Sequence, residues 1–272
     1  MSSQRAQTLT LADGRTLCFA SFGAGKGRPV FYLHGAGSSR IEGELYDGPA
    51  RAAGVRIVAT DRPGCGGSSP DPGRSFASYA LDLQQLADHL GIARFVVAGM
   101  SNGGAYAIAA AARLPDRVSA CIPINASTPL HDRVACQASP WRVRLSYALI
   151  RHALPLTRWT LKRIAGSAST DDLHRRSVGE ALRQPDSGYL AQEIRLATSA
   201  WGFDHCAVAQ PVAIFSGDRD AGYAYACVWA RRLPAGRLQV FPGGHGDFEA
   251  PATLERIVAA MAALSANAAC TR

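Results

Sequence analysis

The sequence predicts an α/β fold with a mostly parallel central sheet, helices on both of its faces and a helical insertion. Short apolar segments alternate with segments of helical periodicity along residues 30–124 and again along residues 211–264. Such alternation is typical of a parallel sheet covered by helices on both faces. Between about residues 127 and 205 the alternation stops and the pattern is helical. The 272 residues are enough for one large domain with such an insertion.

The first predicted elements are a hairpin and two strands. Thr8–Leu11 and Thr16–Phe22 are short strand-like segments on either side of an Ala-Asp-Gly-Arg turn. A brief apolar strand follows at Val30–Leu33, a helix is predicted at about residues 42–53, and Val55–Thr60 is the next strand.

The middle of the chain continues the alternation. Phe76–Leu90 carries apolar residues at helical spacing, which predicts a helix. Arg94–Ala98 is then a strand, Asn102–Arg113 a helix and Val118–Ile124 a strand. With the hairpin, these elements make up the first part of a core domain, residues 1–126.

Residues 127–205 are predicted to form the helical insertion, with interruptions at Pro140, Pro155, Gly166 and Pro185. The second part of the core domain, residues 206–272, is predicted to contain a strand at Pro211–Ser216, a helix at about Tyr223–Leu233, a strand at Leu238–Phe241 and a helix at Thr253–Leu264.

Composition and charge argue against a membrane-inserted protein and against a nucleic-acid-binding protein. Hydrophobic residues make up 47% of the chain, and no apolar run approaches the roughly 20 residues of a membrane span. The N-terminus lacks the apolar stretch of a secretory signal, so we expect a cytoplasmic protein without membrane insertion. The formal charge of +8 comes mostly from arginines spread along the chain, which argues against a nucleic-acid partner. No pattern indicates an oligomeric state.

The seven cysteines are scattered and form no Cys-x-x-Cys pair. This arrangement predicts reduced thiols that mostly fill the core, not a disulfide framework. No Cys and His cluster has the spacing of a zinc site, so we predict no structural metal and no cofactor.

Gly99-Met-Ser-Asn-Gly103 lies where a predicted strand turns directly into a predicted helix. So sharp a turn strains its central residue and requires small neighbours two positions away, which Gly99 and Gly103 supply. Ser101 is then exposed at the carboxyl end of a strand, where open α/β sheets bind ligands. The amide of Asn102 begins a helix whose positive end favours developing negative charge. We therefore predict that Ser101 is a nucleophile.

A serine nucleophile needs a base and an orienting partner for that base. Asp220 follows one predicted strand and His245 follows the last one, so both side chains are expected at the same sheet edge as Ser101. The order Ser, Asp, His along the chain is the order expected for this kind of sheet. After an early strand, His34-Gly-Ala-Gly37 can offer the Ala36 amide as a second oxyanion donor beside that of Asn102.

These motifs, with the Asp61-Arg-Pro-Gly-x-Gly-x-Ser loop, make the sequence resemble the α/β-hydrolase superfamily over nearly the whole chain outside the insertion. The resemblance implies that Ser101 is the nucleophile, His245 the general base and Asp220 the acid. It also implies that residues 127–205 form a helical cap that covers the site. Related dehalogenases and epoxide hydrolases carry Asp at the nucleophile position, so Ser101 argues against both activities. Family spacing favours Asp220 as the acid, and Asp218 stays open as the alternative.

Other polar residues near these motifs have simpler interpretations. His34 and Asp61 are expected to hold their own loops, and Cys65 is expected to be a packing residue. Gly35, in the loop of Ala36, and Trp141, in the insertion, are the candidate substrate-binding residues.

Residues 141–163 carry six basic side chains and no acidic one. Helical spacing places apolar residues of the first part on one face, which we expect to roof the pocket with the arginines in solvent. Attraction to a membrane surface is an alternative, as is one inward arginine that holds a substrate carboxylate. The face consists of Trp141, Leu145, Ala148, Leu149 and His152.

The expected function is hydrolysis of a small carboxylic ester or lactone by a Ser-His-Asp triad through an acyl-enzyme. The same residues could serve a carbon–carbon bond hydrolase, a thioesterase or a biosynthetic cyclase, because a fold does not fix a chemistry. A protein that binds a small ligand without turnover is the alternative of another class.

Overall fold

The structure is a computed structural model that describes residues 6–152, 155, 156, 159, 163, 173–184 and 186–267. Its strands are β1 (Gln7–Thr10), β2 (Thr16–Gly23), β3 (Arg28–Leu33), β4 (Val55–Thr60), β5 (Phe95–Met100), β6 (Val118–Ile124), β7 (Val212–Gly217) and β8 (Gly236–Phe241). They form one sheet in the order β1-β2-β4-β3-β5-β6-β7-β8. Strand β2 is antiparallel to both of its neighbours and the other pairs are parallel. The predicted fold class is confirmed.

The described α-helices are α1 (Asp47–Ala52), α2 (Phe76–His89), α3 (Asn102–Arg113), α4 (Arg133–Ala138), α5 (Trp141–His152), α6 (Leu173–Ala181), α7 (Tyr189–Thr198), α8 (Tyr223–Arg232) and α9 (Pro251–Asn267). The helix predicted at residues 42–53 is instead a 3₁₀ helix, Arg40–Tyr46, followed by α1. Pro49 explains the break, because it has no N–H for the hydrogen bond that a continuous helix would need.

The sheet separates two hydrophobic layers. Helices α2, α3 and α8 pack on one face, and α1 and α9 pack on the other. Local sequence fixes the start of α2, where the Ser75 hydroxyl accepts from the Ser78 amide and the Ser78 hydroxyl accepts from the Ser75 amide. This reciprocal pair satisfies two donors at the helix start. The helix therefore begins beside Phe76, the first apolar residue of its buried face.

Helices α4 to α7 lie between β6 and β7, and this part of the chain contains no strand among its described residues. Pro140 separates α4 from α5, as expected. The interruptions predicted at Gly166 and Pro185 lie outside the described residues. No helix in the described part of the chain has both the length and the apolar character to cross a membrane.

Candidate active site

Ser101 occupies the turn between β5 and α3 with φ of 53° and ψ of −120°. Residues other than glycine rarely adopt this backbone conformation. The glycines beside it allow this close approach. A Cβ atom at Gly103 would overlap the carbonyl oxygen of Leu33, and one at Gly99 would overlap the carbonyl of Gly103. The turn is therefore held by packing against β3. The sharp turn predicted from the spacing of the two glycines is confirmed.

His245 follows β8, and its Nδ1 atom lies 2.6 Å from Oδ2 of Asp220 in the loop after β7. The Asp220 side chain is almost fully buried, whereas that of His245 is half exposed. The Gly222 amide donates to Oδ1 of Asp220 at 2.7 Å and fixes the carboxylate plane. Asp218 turns the other way and accepts from the Gly243 amide at 2.9 Å. Of the two aspartates, Asp220 is the one that contacts the imidazole.

A cavity of about 380 Å³ lies beside Ser101 and is also lined by His245, Asp220, Ala36 and Asn102. A second cavity of about 190 Å³ reaches Ser101 and His245 from another side. Among the described residues no hydrogen bond joins the Ser101 hydroxyl to His245. Such bonds often form only when substrate is bound. The structure thus brings these five predicted residues to the lining of one cavity.

The backbone around the two predicted oxyanion donors is suited to an anion. Asn102 is the first residue of α3, where an amide has no acceptor within the helix and the helix dipole is positive. Ala36 lines the same cavity from the loop after β3. Gly35 lies beside them, since a Cβ atom there would come 3.7 Å from Cβ of Ser101. Substrate binding by Gly35 stays a prediction.

Trp141 does not line either cavity, so the structure gives no support to its predicted role in substrate binding, which stays a prediction. It lies at the start of α5 and is 63% exposed. The cavity is covered instead by Val143, Tyr147 and Ile150, on another face of the same helix. The predicted roof face is exposed because Val143 and Tyr147 are the residues that pack inward. Within the described part of residues 141–163 every arginine is exposed, and Arg158 lies outside it.

Asn125 is a site residue that the sequence analysis missed. It directly follows β6 and has a positive φ of 41°, and its Oδ1 atom accepts from the Gly217 amide at 2.9 Å. Its Nδ2 group donates to the carbonyl of His245 at 2.9 Å. One side chain therefore connects the loops that carry Asp220 and His245. An Asn directly after an apolar strand was the available signal.

Glu193, on α7, is the second missed residue and is fully buried at the cavity wall. Its carboxylate accepts from Nε of Arg62 at 3.0 Å and from Nδ2 of Asn102 at 2.7 Å, and Nη2 of Arg74 lies 2.9 Å away. Arg62 in turn donates to the carbonyl oxygens of His34 and Gly35, at 2.6 and 3.0 Å. Glu193 thus links α7 to the loops of both predicted oxyanion donors.

The electrostatics of this buried group favour an ionised carboxylate. Burial opposes ionisation of Glu193, but the charges of Arg62 and Arg74 and the hydrogen bond from Asn102 outweigh it and lower its pKa. A charged residue in the apolar stripe of a helix, between Leu190 and Ile194, was the sequence signal for this role.

His34, Asp61 and Cys65 lie close enough together to hold a metal ion, as do Asp204, His205 and Cys206. In the first group Arg40 already pairs with Asp61, and burial raises the pKa of the Cys65 thiol, so the residues present fit a cation poorly. In the second group Nε2 of His205 already contacts the Tyr225 hydroxyl at 2.6 Å. We assign a metal to neither group. The six cysteines within the described residues are free thiols.

Comparisons with curated proteins identify relatives of this chain. A pimeloyl-[acyl-carrier protein] methyl ester esterase of Aromatoleum aromaticum is 30% identical over 74% of this chain and 84% of its own length. An uncharacterized hydrolase of Bacillus subtilis is 34% identical over 43% of this chain and 39% of its own. The chain spans less than half the length of that relative and of the next two it matches.

Solved structures of other proteins share the fold of this chain. An esterase from Exiguobacterium antarcticum superposes with a TM-score of 0.76 and 20% identity, covering 94% of this chain and 99% of the esterase. The family described as alpha/beta hydrolase fold matches residues 28–249, which is most of the sequence and contains every predicted site residue. The chain belongs to the α/β hydrolase fold family.

Proposed function

We propose that this protein is a serine hydrolase that cleaves a small carboxylic ester or lactone through an acyl-enzyme on Ser101. The observation that carries the proposal is the shared cavity. The cavity is lined by Ser101, which lies in a strained turn, and by His245. Nδ1 of His245 contacts the buried carboxylate of Asp220. This is the arrangement that a base-activated nucleophile requires.

The reaction begins when Oγ of Ser101 attacks the ester carbonyl while Nε2 of His245 takes its proton. Asp220 holds the imidazole through Nδ1 and stabilises the imidazolium that forms. The carbonyl oxygen becomes an oxyanion facing the amides of Ala36 and Asn102, and each such donor contributes about 3–4 kcal/mol to transition-state stabilisation. Collapse returns the proton to the leaving alcohol. Water, deprotonated by the same imidazole, then releases the acid and regenerates Ser101.

The two cavities support an ester as substrate, because such a molecule extends on both sides of the carbon that is attacked. Val143, Ile150 and Ile194 give the larger cavity an apolar wall, and an apolar wall suits an acyl or alkyl group. We propose that residues 127–205 act as a cap, because α5 and α7 supply this wall. The relative from Aromatoleum aromaticum, named as a methyl ester esterase, is consistent with ester cleavage.

A panel of p-nitrophenyl esters of increasing chain length, run beside a lactone, a thioester and a vinylogous diketone, tests the substrate class. We expect fastest turnover for a short ester or a lactone. A preference for the diketone would favour a carbon–carbon bond hydrolase, and product ring closure would favour a cyclase. Labelling by a fluorophosphonate, located by peptide mass spectrometry, should modify Ser101. A protein that binds ligand but takes no label and turns nothing over would be a binding protein.

Asp220→Asn is expected to lower kcat about 10⁴-fold on the best ester, because an amide cannot hold the imidazole in the required tautomer. Asp218→Asn is the matched control, since an asparagine oxygen can still accept from the Gly243 amide. We expect the control to keep kcat within about tenfold, as its side chain does not contact His245. Equal losses in the two variants would contradict the assignment of the acid.

Asn125→Ala is expected to lower kcat on the same ester about 10- to 100-fold, because the His245 loop loses its donor and misplacement of a catalytic group is costly. Asn125→Asp keeps the acceptor for the Gly217 amide but not the donor, so it should show a similar loss. Far-UV circular dichroism checks that both variants fold. Unchanged kcat in both would remove Asn125 from the proposed site.

A further inference from the structure

We propose that the exposed apolar face of α5, together with the arginines beside it, binds the surface of an anionic lipid bilayer. The face consists of Trp141, Leu145, Ala148, Leu149 and His152, the residues that were expected to roof the cavity. The contact is peripheral, since an amphipathic helix of this kind lies in the headgroup region and does not cross the bilayer.

Large exposed hydrophobic side chains concentrate in this part of the molecule. Trp141 is 63% exposed, Leu145 48% and Leu149 59%, and Trp159, further along the chain, is 54% exposed. Nine large hydrophobic residues are exposed among the described residues, and six of them lie in residues 141–159. Scattered single residues of this type are normal on a surface, but Trp141, Leu145 and Leu149 share one face of α5, and such a group indicates an interaction site.

The charged side chains of residues 141–163 are all of one sign. At helical spacing, Arg142 lies on one side of the face, and Arg144 and Arg151 lie on the other. All three are exposed, and residues 141–163 contain six basic side chains and no acidic one. The guanidinium of Arg142 lies 6.0 Å from the ring of Trp141, and that of Arg163 lies 4.9 Å from the ring of Trp159. Basic and tryptophan side chains that lie together are favourable in the headgroup region of a bilayer.

This combination favours a lipid surface over other partners. A second copy of the chain would bring two basic segments together, and residues 141–163 contain no acidic side chain that could pair with the arginines, which opposes self-association through this face. Nucleic acid would pair with the arginines but would leave the leucines and tryptophans exposed to water. An anionic bilayer accepts the apolar side chains and attracts the arginines, and each basic residue near such a surface contributes about a fivefold gain in binding.

The face also lies next to the larger cavity. Ile150, on the same helix, lines that cavity and is 42% exposed, so α5 contacts the cavity on one side and solvent on the other. Binding through the exposed face would therefore hold α5 and the cavity near the membrane. This inference stands apart from the proposed function, since the face contains none of the residues proposed to carry the reaction.

Sedimentation of the full chain with lipid vesicles tests the proposal. We expect binding at low salt to vesicles of phosphatidylcholine containing about one third phosphatidylglycerol, and at least about tenfold weaker binding to phosphatidylcholine alone. Binding should be largely lost in about 1 M salt, where the screening length is about 3 Å. The double variant R144Q/R151Q should bind about 30-fold more weakly at low salt. L145S/L149S should bind at least about tenfold more weakly.

Leu81→Ser on α2 and Arg231→Gln on α8 are matched controls, since each removes an exposed apolar or basic side chain from another part of the surface. Both should bind vesicles as the unmodified chain does, and circular dichroism verifies the fold of every variant. The proposal is overturned if the unmodified chain stays in the supernatant with anionic vesicles at low salt, or if the α5 variants sediment unchanged. A dimer that L145S/L149S converts to monomer, without vesicle binding, would also overturn it and assign the face to self-association.

Discussion

Ser101→Ala is expected to lower kcat on the best ester by about 10⁴- to 10⁶-fold while leaving the fold intact, because it removes the atom that forms the acyl-enzyme. Loss of the hydroxyl changes little else in the turn. The backbone at residue 101 is held by the contacts of Gly99 and Gly103, not by the serine side chain, which makes no cap hydrogen bond to α3. Initial-rate kinetics and thermal unfolding of the variant give the two measurements.

Ser119→Ala is the matched control for this experiment. Ser119 lies on β6, donates its hydroxyl hydrogen bond to the Phe95 carbonyl and lines neither cavity. It should keep near-normal kcat, and it should still take the fluorophosphonate label that Ser101→Ala loses. Full activity in Ser101→Ala would show that the proposed mechanism is wrong, whatever other residues line the cavity.

Glu193→Ala is expected to lower the free energy of unfolding by about 3–5 kcal/mol, because it leaves the buried charges of Arg62 and Arg74 without their carboxylate. Urea or thermal unfolding measures this change. The matched control is Glu44→Ala, which breaks a surface pair with Arg176 and should cost about 1 kcal/mol or less. Similar small losses of unfolding free energy in both variants would mean that the ion pairs of Glu193 with Arg62 and Arg74 do not hold α7 to the core.

The lowered pKa of Glu193 also predicts a pH dependence. A carboxyl whose pKa is lower in the folded state stabilises that state above its unfolded pKa of about 4.3. The stabilisation is lost as the pH falls through the folded-state pKa. In Glu193→Gln this part of the acid sensitivity should be absent, so the difference in unfolding free energy between the two proteins should shrink below about pH 4.

Periodicity and turn chemistry in the sequence were enough for most of the fold. The sheet strands and helices α2 and α3 lie within about two residues of where apolar spacing placed them, since their buried faces repeat at the strand or helix period. The helix predicted at residues 42–53 was wrong as a single helix, because Pro49 has no N–H for the backbone hydrogen bond of a continuous helix. The boundaries of the cap remain a prediction.

The insertion shows where periodicity fails. An amphipathic pattern identifies two faces of a helix but does not say which of them packs inward. In α5 the more apolar face, with Trp141 and Leu149, is exposed, whereas Val143 and Tyr147 pack over the cavity. Only the position of α5 against α7 and the carboxyl edge of the sheet decides this.

By itself, the sequence determined the turn that holds Ser101 and the strand ends after which Asp220 and His245 follow, because glycine spacing and strand periodicity are local properties. It contains two aspartates after β7, Asp218 and Asp220, and did not decide which of them contacts His245. It placed Asn125 after an apolar strand and Glu193 in the apolar stripe of a helix, but it did not show which loops their side chains connect. Only the tertiary structure decided these points, because hydrogen-bond partners and burial depend on contacts between residues about 90 to 130 positions apart, as Glu193 with Asn102 and Arg62 illustrates.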